Sequence, residues 1–287
     1  MIKNKSIQLV ECPRDAMQGW KHFIPTEKKV EYLNALLQVG FHTLDFGSFV
    51  SPKAIPQMAD TAEVIRGLEL GIGKTKLLAI VANTRGAADA VAFDEINYLG
   101  FPFSISPTFQ LRNTNSTQTE SILRIDEIQE LCIKNKKTLV VYLSMAFGNP
   151  YQDEYTSDLL MHWANEMAKR AIEIVSLADT VGVCTPQQIE LALTTLIPKY
   201  PSIQFGVHLH STPFNWKPKL EAALFNGCSR FDGALKGIGG CPMAQDDLVG
   251  NMDSEKMIAF LTDHQLLNNL NSEALQHALL LANEIFV

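Results

Sequence analysis

The chain has 287 residues, 46% hydrophobic and 19% charged, with a formal net charge of −7 and a pI near 5.5. That length accommodates one large α/β domain or two ordinary ones, and the acidic balance argues against nucleic acid or an anionic membrane surface as the main partner. No stretch approaches the roughly 18 apolar residues of a transmembrane helix, and residues 1–5 run into a strand without a signal-peptide core. Five cysteines without a CxxC spacing predict a cytoplasmic protein with reduced thiols, with neither a disulfide scaffold nor a cysteine zinc site.

Short apolar runs alternate with helical patterns along the whole chain. Strands are predicted over 7–12, 43–46, 76–82, 98–103, 138–144, 173–178, 204–210 and 230–234. Helices are predicted to begin near Thr26, Asp60, Gly86, Thr117, Asp158, Pro186 and Lys217, with more helix after Val249. Thr26 before Glu27 reads as a helix cap and Thr185-Pro186 as a helix start, whereas Gly40, Gly100 and Gly227 read as element ends. Eight strands separated by helices give the count of a (β/α)8 TIM barrel. A doubly wound open sheet is the alternative that periodicity alone does not exclude, but its Gly-rich dinucleotide fingerprint is absent, since Pro13-Arg14-Asp15 follows the first strand. One domain over 1–287 is expected, with a C-terminal helical segment at about 254–287 packing across the barrel.

Catalytic groups of such barrels sit at the C-terminal ends of the strands. By that rule Arg14 and Asp15, Asp45 and Ser48, Asp179 and Thr180, His208 and His210, and the loop from Lys236 to Pro242 all reach one face. In Gly206-Val207-His208-Leu209-His210 the period of two points both imidazoles the same way, where burying them is costly unless something binds them. With Asp15 they make a two-His-one-carboxylate set suited to Mn²⁺, Co²⁺ or Zn²⁺, or to Mg²⁺ when further oxygens complete the shell. Arg14 reads equally as an oxyanion holder or as a structural salt bridge to Asp45 or Glu11. Cys241, in a Gly-Gly-Cys-Pro loop, suits a mobile lid, and the other four cysteines read as buried and inert.

Some patterns carry little. Gly71-Ile72-Gly73-Lys74-Thr75 ends like a P-loop but has leucine at position 68 and precedes a strand. The Asn115-Ser116-Thr117 sequon means nothing in a cytoplasmic protein. His22, His42, His162, His264 and His277 have no clustering partners in the sequence, and residues 268–271 read as a loop before the last helix.

Val10-Glu11-Cys12-Pro13-Arg14-Asp15 with Gln18, the run from Ser48 to Met58, Asp179-Thr180-Val181-Gly182, His208-Leu209-His210 and Gly239-Gly240-Cys241-Pro242 together resemble the 3-hydroxy-3-methylglutaryl-CoA lyases. These belong to a superfamily of metal-dependent barrel aldolases and condensing enzymes. The resemblance implies retro-Claisen cleavage of 3-hydroxy-3-methylglutaryl-CoA to acetyl-CoA and acetoacetate, in leucine breakdown or ketone metabolism. It implies a divalent cation, Mg²⁺ or Mn²⁺, on Asp15, His208, His210 and the carbonyl oxygen of Asn251. Arg14 would hold the thioester oxygen and the enolate, Cys241 would help protonate that enolate, and Gln18, Ser48 and Thr180 would contact substrate. Asp45 stands where the family carries glutamate in proton traffic, and His208 and Asp15 remain alternative bases. Coenzyme A enters as part of the substrate, and a homodimer is in keeping with barrels of this kind.

Three departures mark a divergent branch. The opening motif is one residue shorter, Ser211 stands where an aspartate commonly orients a ligand, and the loop from Cys241 to Asn251, with Asp246-Asp247, is one residue longer. Alternatives on the same barrel are a pyruvate-type aldolase, an acetyl-CoA condensing enzyme, a lyase for a longer 3-hydroxyglutaryl-CoA, and a barrel that only binds acyl-CoA.

Overall fold

The computed structural model describes residues 6–71, 74–240, 249–267 and 270–287. Strand β1 (Gln8–Glu11) leads through α1 (Pro13–Gln18) and α2 (Thr26–Val39) to β2 (Thr43–Ser48). A 3₁₀ turn (Pro56–Met58) and α3 (Thr61–Arg66) precede β3 (Lys76–Ile80), and α4 (Thr84–Val91) precedes β4 (Ile96–Ser104). Helices α5 (Pro107–Thr114) and α6 (Gln118–Lys134) lead to β5 (Thr138–Ser144), and α7 (Ser157–Lys169) leads to β6 (Ile174–Asp179). Then α8 (Pro186–Lys199) leads to β7 (Gln204–Leu209), and α9 (Trp216–Phe225) to β8 (Arg230–Gly233). A second 3₁₀ turn (Leu235–Gly237), α10 (Ser254–Asp263) and α11 (Ser272–Ile285) follow. The eight strands pair in chain order into a closed barrel, in which Val10 of β1 lies opposite both Thr43 and Asp232 in parallel register.

Alternation along the strands separates two apolar regions. Leu77, Leu99, Val141, Leu143 and Val175 face the helices and join the large core. Leu78, Tyr98, Val140, Tyr142 and Ile174 form a smaller cluster inside the barrel. Charged and polar groups above that inner plug therefore belong to the mouth at the strands' C-terminal ends.

The predicted strands are all present, and the differences are local. Helices α1 and α5 were not expected, because each is a short segment opened by proline immediately after a strand. Thr26 is not a cap: Pro25 holds that position, and Thr26 Oγ1 donates to Asp60 Oδ2 at 2.8 Å. Thr185 does cap α8, in a reciprocal box with Gln188. Gly40 ends α2 with a left-handed φ of 91°, but Gly100 lies within β4, where a Cβ would come 2.5 Å from Ile80 Cδ1. The C-terminal segment does not cross the barrel; α11 lies along α2, with Phe286 packed edge-on against Trp20 and Tyr32. Asn271 caps α11 by accepting from Glu273 N and Ala274 N.

Buried Glu11 fastens β1 to the segment after β8: its Oε1 accepts from Leu235 N and its Oε2 from Ser254 Oγ. Burial raises its pKa to about 8, outweighing both hydrogen bonds. A pKa raised in the folded state stabilises fully below the unfolded value near 4.5 and loses that contribution as pH climbs towards about 8. Between those limits Glu11 should reduce stability with a slope approaching about 1.4 kcal/mol per pH unit. Urea unfolding of Glu11→Gln should show that slope flattened between pH 5 and 8; an unchanged slope contradicts the assignment.

Candidate active site

Asp15 is brought to the mouth by α1, which starts at Pro13 just after β1 and places residues 14 and 15 in the cavity wall. The Asp15 carboxylate accepts four hydrogen bonds. Its Oδ1 takes Arg14 Nη1 and Gln18 Nε2, both at 3.0 Å. Its Oδ2 takes Asn251 Nδ2 at 2.8 Å and Gly240 N at 3.4 Å. Burial would raise its pKa, but Arg14, the two histidines and the Asn251 amide hold it down to about 2. Gly239 makes this approach feasible: at φ +115°, a Cβ there would sit 2.4 Å from Asn251 Nδ2 and 3.1 Å from Asp15 Oδ2.

His208, on β7, and His210, just beyond it, face the same side, and each offers a ligand atom within 4.8 Å of one another and of an Asp15 oxygen. His208 Nδ1 lies 3.3 Å from Asp232 Oδ2, which leaves its other ring nitrogen for a ligand. That carboxylate outweighs burial and raises the His208 pKa, whereas burial pulls His210 down to about 4. His210 pairs with Asn251 in an isolated antiparallel bridge, which brings the segment after 248 onto β7. The Asn251 amide nitrogen is used on Asp15 and Ile238 O, while its buried Oδ1 has no hydrogen-bond partner among the described residues. Two imidazole nitrogens, a carboxylate oxygen and an unpartnered amide oxygen form a donor set that fits a divalent cation. Cys12, His208 and Asp232 are equally close together, but Cys12 and Asp232 do not line the cavity and Asp232 is already engaged with His208.

The cavity at this mouth has a volume of about 400 Å³. Arg14, Asp15, Gln18, Ser48, Thr180, His208 and His210 line its floor. An apolar wall of Val50, Ala54, Ile55, Ile80, Ala82, Pro102 and Phe109 gives way to Asn83, Arg112, Asn113 and Asn115.

A family model described as HMGL-like matches residues 7–281. The chain belongs to the HMGL-like family. The hydroxymethylglutaryl-CoA lyase of Bacillus subtilis (strain 168) is 31% identical over 266 residues, 93% of this chain and 88% of that protein. The mitochondrial hydroxymethylglutaryl-CoA lyase of Rattus norvegicus is 30% identical over 277 residues, 96% of this chain and 84% of that protein. An HMG-CoA lyase from Acinetobacter baumannii, solved in complex with coenzyme A and 3-methylmalate, has a TM-score of 0.91 at 28% identity, covering 98% of this chain and 91% of that one. The HMG-CoA lyase of Bacillus subtilis has a TM-score of 0.90 at 30% identity, covering 98% and 93%.

Within this HMGL-like barrel, the sequence-predicted residues sort into four groups. Arg14, Asp15, Gln18, Ser48, Thr180, His208 and His210 share the cavity, and Asn251 touches Asp15. Ser48 Oγ is buried without a hydrogen-bond partner among the described residues, and Thr180 Oγ1 accepts from Met145 N. Asp45 is behind this floor: it holds Arg14 through Nε and Nη2, the latter at 2.5 Å, so the salt-bridge reading of Arg14 and its place in the cavity are both met. Burial, with Asp15 and Asp232 nearby, raises Asp45 to about 6 despite Arg14. Asp179 does not reach the shared face: it is buried against Lys219 and Cys184 N. Cys241, with Asp246 and Asp247, lies outside the described residues. No helix among the described residues is long and apolar enough to cross a membrane.

Sequence reasoning missed Asp232 and Lys219. Asp232 had a signal, because it lies two residues after Arg230 on an inward-facing register directly opposite His208. Lys219 had none, since a lysine on a helix following a strand reads as solvated.

Proposed function

We propose that this protein is a divalent-metal-dependent carbon–carbon lyase that cleaves 3-hydroxy-3-methylglutaryl-CoA to acetyl-CoA and acetoacetate. The observation that carries the reading is the convergence of Asp15, His208 and His210 on a cavity that also holds Arg14, with Asn251 donating to Asp15 and its own Oδ1 unpartnered among the described residues. The relative solved with coenzyme A and 3-methylmalate holds a CoA and a hydroxy acid on this same barrel, which supports the substrate class. Asp15, His208, His210 and Asn251 would hold Mg²⁺ or Mn²⁺, which would supply Lewis-acid polarisation that makes a substrate hydroxyl easier to deprotonate.

The protein's own residues then divide the work. The C3 hydroxyl proton passes to His208 or Asp15, both on the cavity floor; because Asp232 engages one His208 ring nitrogen, His208 can accept the proton only at the other, when that nitrogen is not held by the ion. As the C2–C3 bond breaks, C3 becomes the ketone of acetoacetate and the electron pair moves onto the thioester as an enolate. Arg14, fixed by Asp45, donates to that enolate oxygen where charge develops. Protonation at C2, a role the resemblance gives to Cys241, completes acetyl-CoA. The apolar wall suits a pantetheine arm, and Asn83, Arg112 and Asn113 suit its polar continuation. The reading further places the enzyme in the cytoplasm, acting in leucine degradation as a single catalytic domain over 1–287, with a homodimer and small molecules rather than nucleic acid as partners.

Purified protein incubated with 3-hydroxy-3-methylglutaryl-CoA and Mg²⁺ or Mn²⁺ should release acetoacetate and acetyl-CoA in equal amounts. No cleavage with either ion, alongside turnover of a 2-oxo acid aldol, would move the protein to an aldolase of the same barrel.

A further inference from the structure

His208 and His210 are held in different ways. The His208 ring is oriented through its side chain by Asp232. The His210 ring has no hydrogen-bonding side chain against it among the described residues, and Ser211 beside it turns its hydroxyl towards Met252 Sδ at 3.7 Å. What fixes His210 is its backbone. Its carbonyl accepts from Lys219 Nζ at 2.8 Å, and the flanking positions are tied by Ser211 N to Gly250 O and Met252 N to Leu209 O.

Lys219 is an unusual anchor. It sits on α9, its side chain is 1% exposed, and its ammonium meets three acceptors: Asp179 Oδ2 at 2.7 Å, His210 O at 2.8 Å and Gly182 O at 3.0 Å. An ammonium has three donors, so this one is saturated. The Asp179 carboxylate that neutralises it is itself fixed, its Oδ1 accepting from Cys184 N at 3.1 Å. The end of β6, the turn after it and the end of β7 thus meet at one charged point, directly behind the His210 ligand.

We propose that Lys219, neutralised by Asp179, is a positioning residue for the metal centre. It sets the His210 backbone, and through it the imidazole, from behind, and so takes over the orienting role for which position 211 supplies no carboxylate. The inference rests on the metal-centre reading above. It assigns Asp179 to this brace rather than to contact with substrate.

The test separates bracing from plain charge compensation. Lys219→Met alone strands a buried carboxylate and lowers stability whatever the role of Lys219. In Lys219→Met/Asp179→Asn no buried charge is left, and the amide oxygen can still accept from Cys184 N. Chelator-stripped wild type and both variants are titrated with Mn²⁺ calorimetrically, and each is melted without metal. The expected result is that the double variant regains most of the melting temperature lost by the single variant, while its Mn²⁺ affinity stays about 10- to 100-fold below wild type, the size of effect produced by losing an orienting partner. Double-variant affinity within twofold of wild type would overturn the brace while leaving the metal centre intact. If wild type itself bound no Mn²⁺, the metal-centre reading would fail and the brace with it.

Discussion

Replacing Arg14 with methionine is expected to lower kcat by about 10²- to 10³-fold or more, the usual effect of removing a donor aimed at a developing oxyanion, while Mn²⁺ still binds. Methionine keeps much of the side-chain volume but neither the charge nor the fork of donors. The loss should appear mainly in kcat, because Arg14 acts most strongly when the enolate forms. The variant should also be less stable, since Asp45 and Asp15 are left buried without their cation, a change of about 3–5 kcal/mol for a broken buried pair. Measuring kcat together with Mn²⁺ affinity on the folded protein separates the two effects. A variant retaining kcat within tenfold of wild type would show that Arg14 serves only as a salt bridge.

His210→Ala is expected to remove metal binding, and turnover with it, at little cost to the metal-free fold. The asymmetry follows from the His210 ring having no hydrogen-bond partner among the described residues, so its deletion strands no buried donor or acceptor. Wild type at a hundredfold excess of Mn²⁺ over Kd should gain about 2.7 kcal/mol of stability; the variant should gain none. Asp15→Asn should likewise lose the ion, but its metal-free form should be less stable because the Arg14 ion pair is gone. A normal Mn²⁺-induced shift in the melting temperature of His210→Ala would remove His210 from the ligand set.

Local periodicity was enough for the barrel: most strands are short apolar runs, and the alternation that separates Leu77 from Leu78 also aligns His208 with His210. The site floor was legible because its residues lie at strand ends, where chain order alone places them. Its fastenings were not. The Arg14–Asp45 pair was one of two readings offered for Arg14, but His208 and Asp232 are 24 residues apart and Lys219 and Asp179 40; such pairs leave no local pattern. Asp179 was misplaced for the same reason. As the last residue of β6 it follows the strand-end rule, but its side chain turns outward to a lysine on α9 that nothing in the sequence marks as buried. Helix α1 was hidden by its brevity, yet it carries Asp15 into the cavity.

The most direct test of the account is cleavage of 3-hydroxy-3-methylglutaryl-CoA by protein stripped with a chelator and then reloaded with Mn²⁺. The account predicts no product from the stripped protein, and acetoacetate and acetyl-CoA in equal amounts once the ion is restored, at a rate that saturates with its binding. Undiminished cleavage by the stripped protein would contradict the metal centre, and no cleavage after reloading would contradict the assigned reaction.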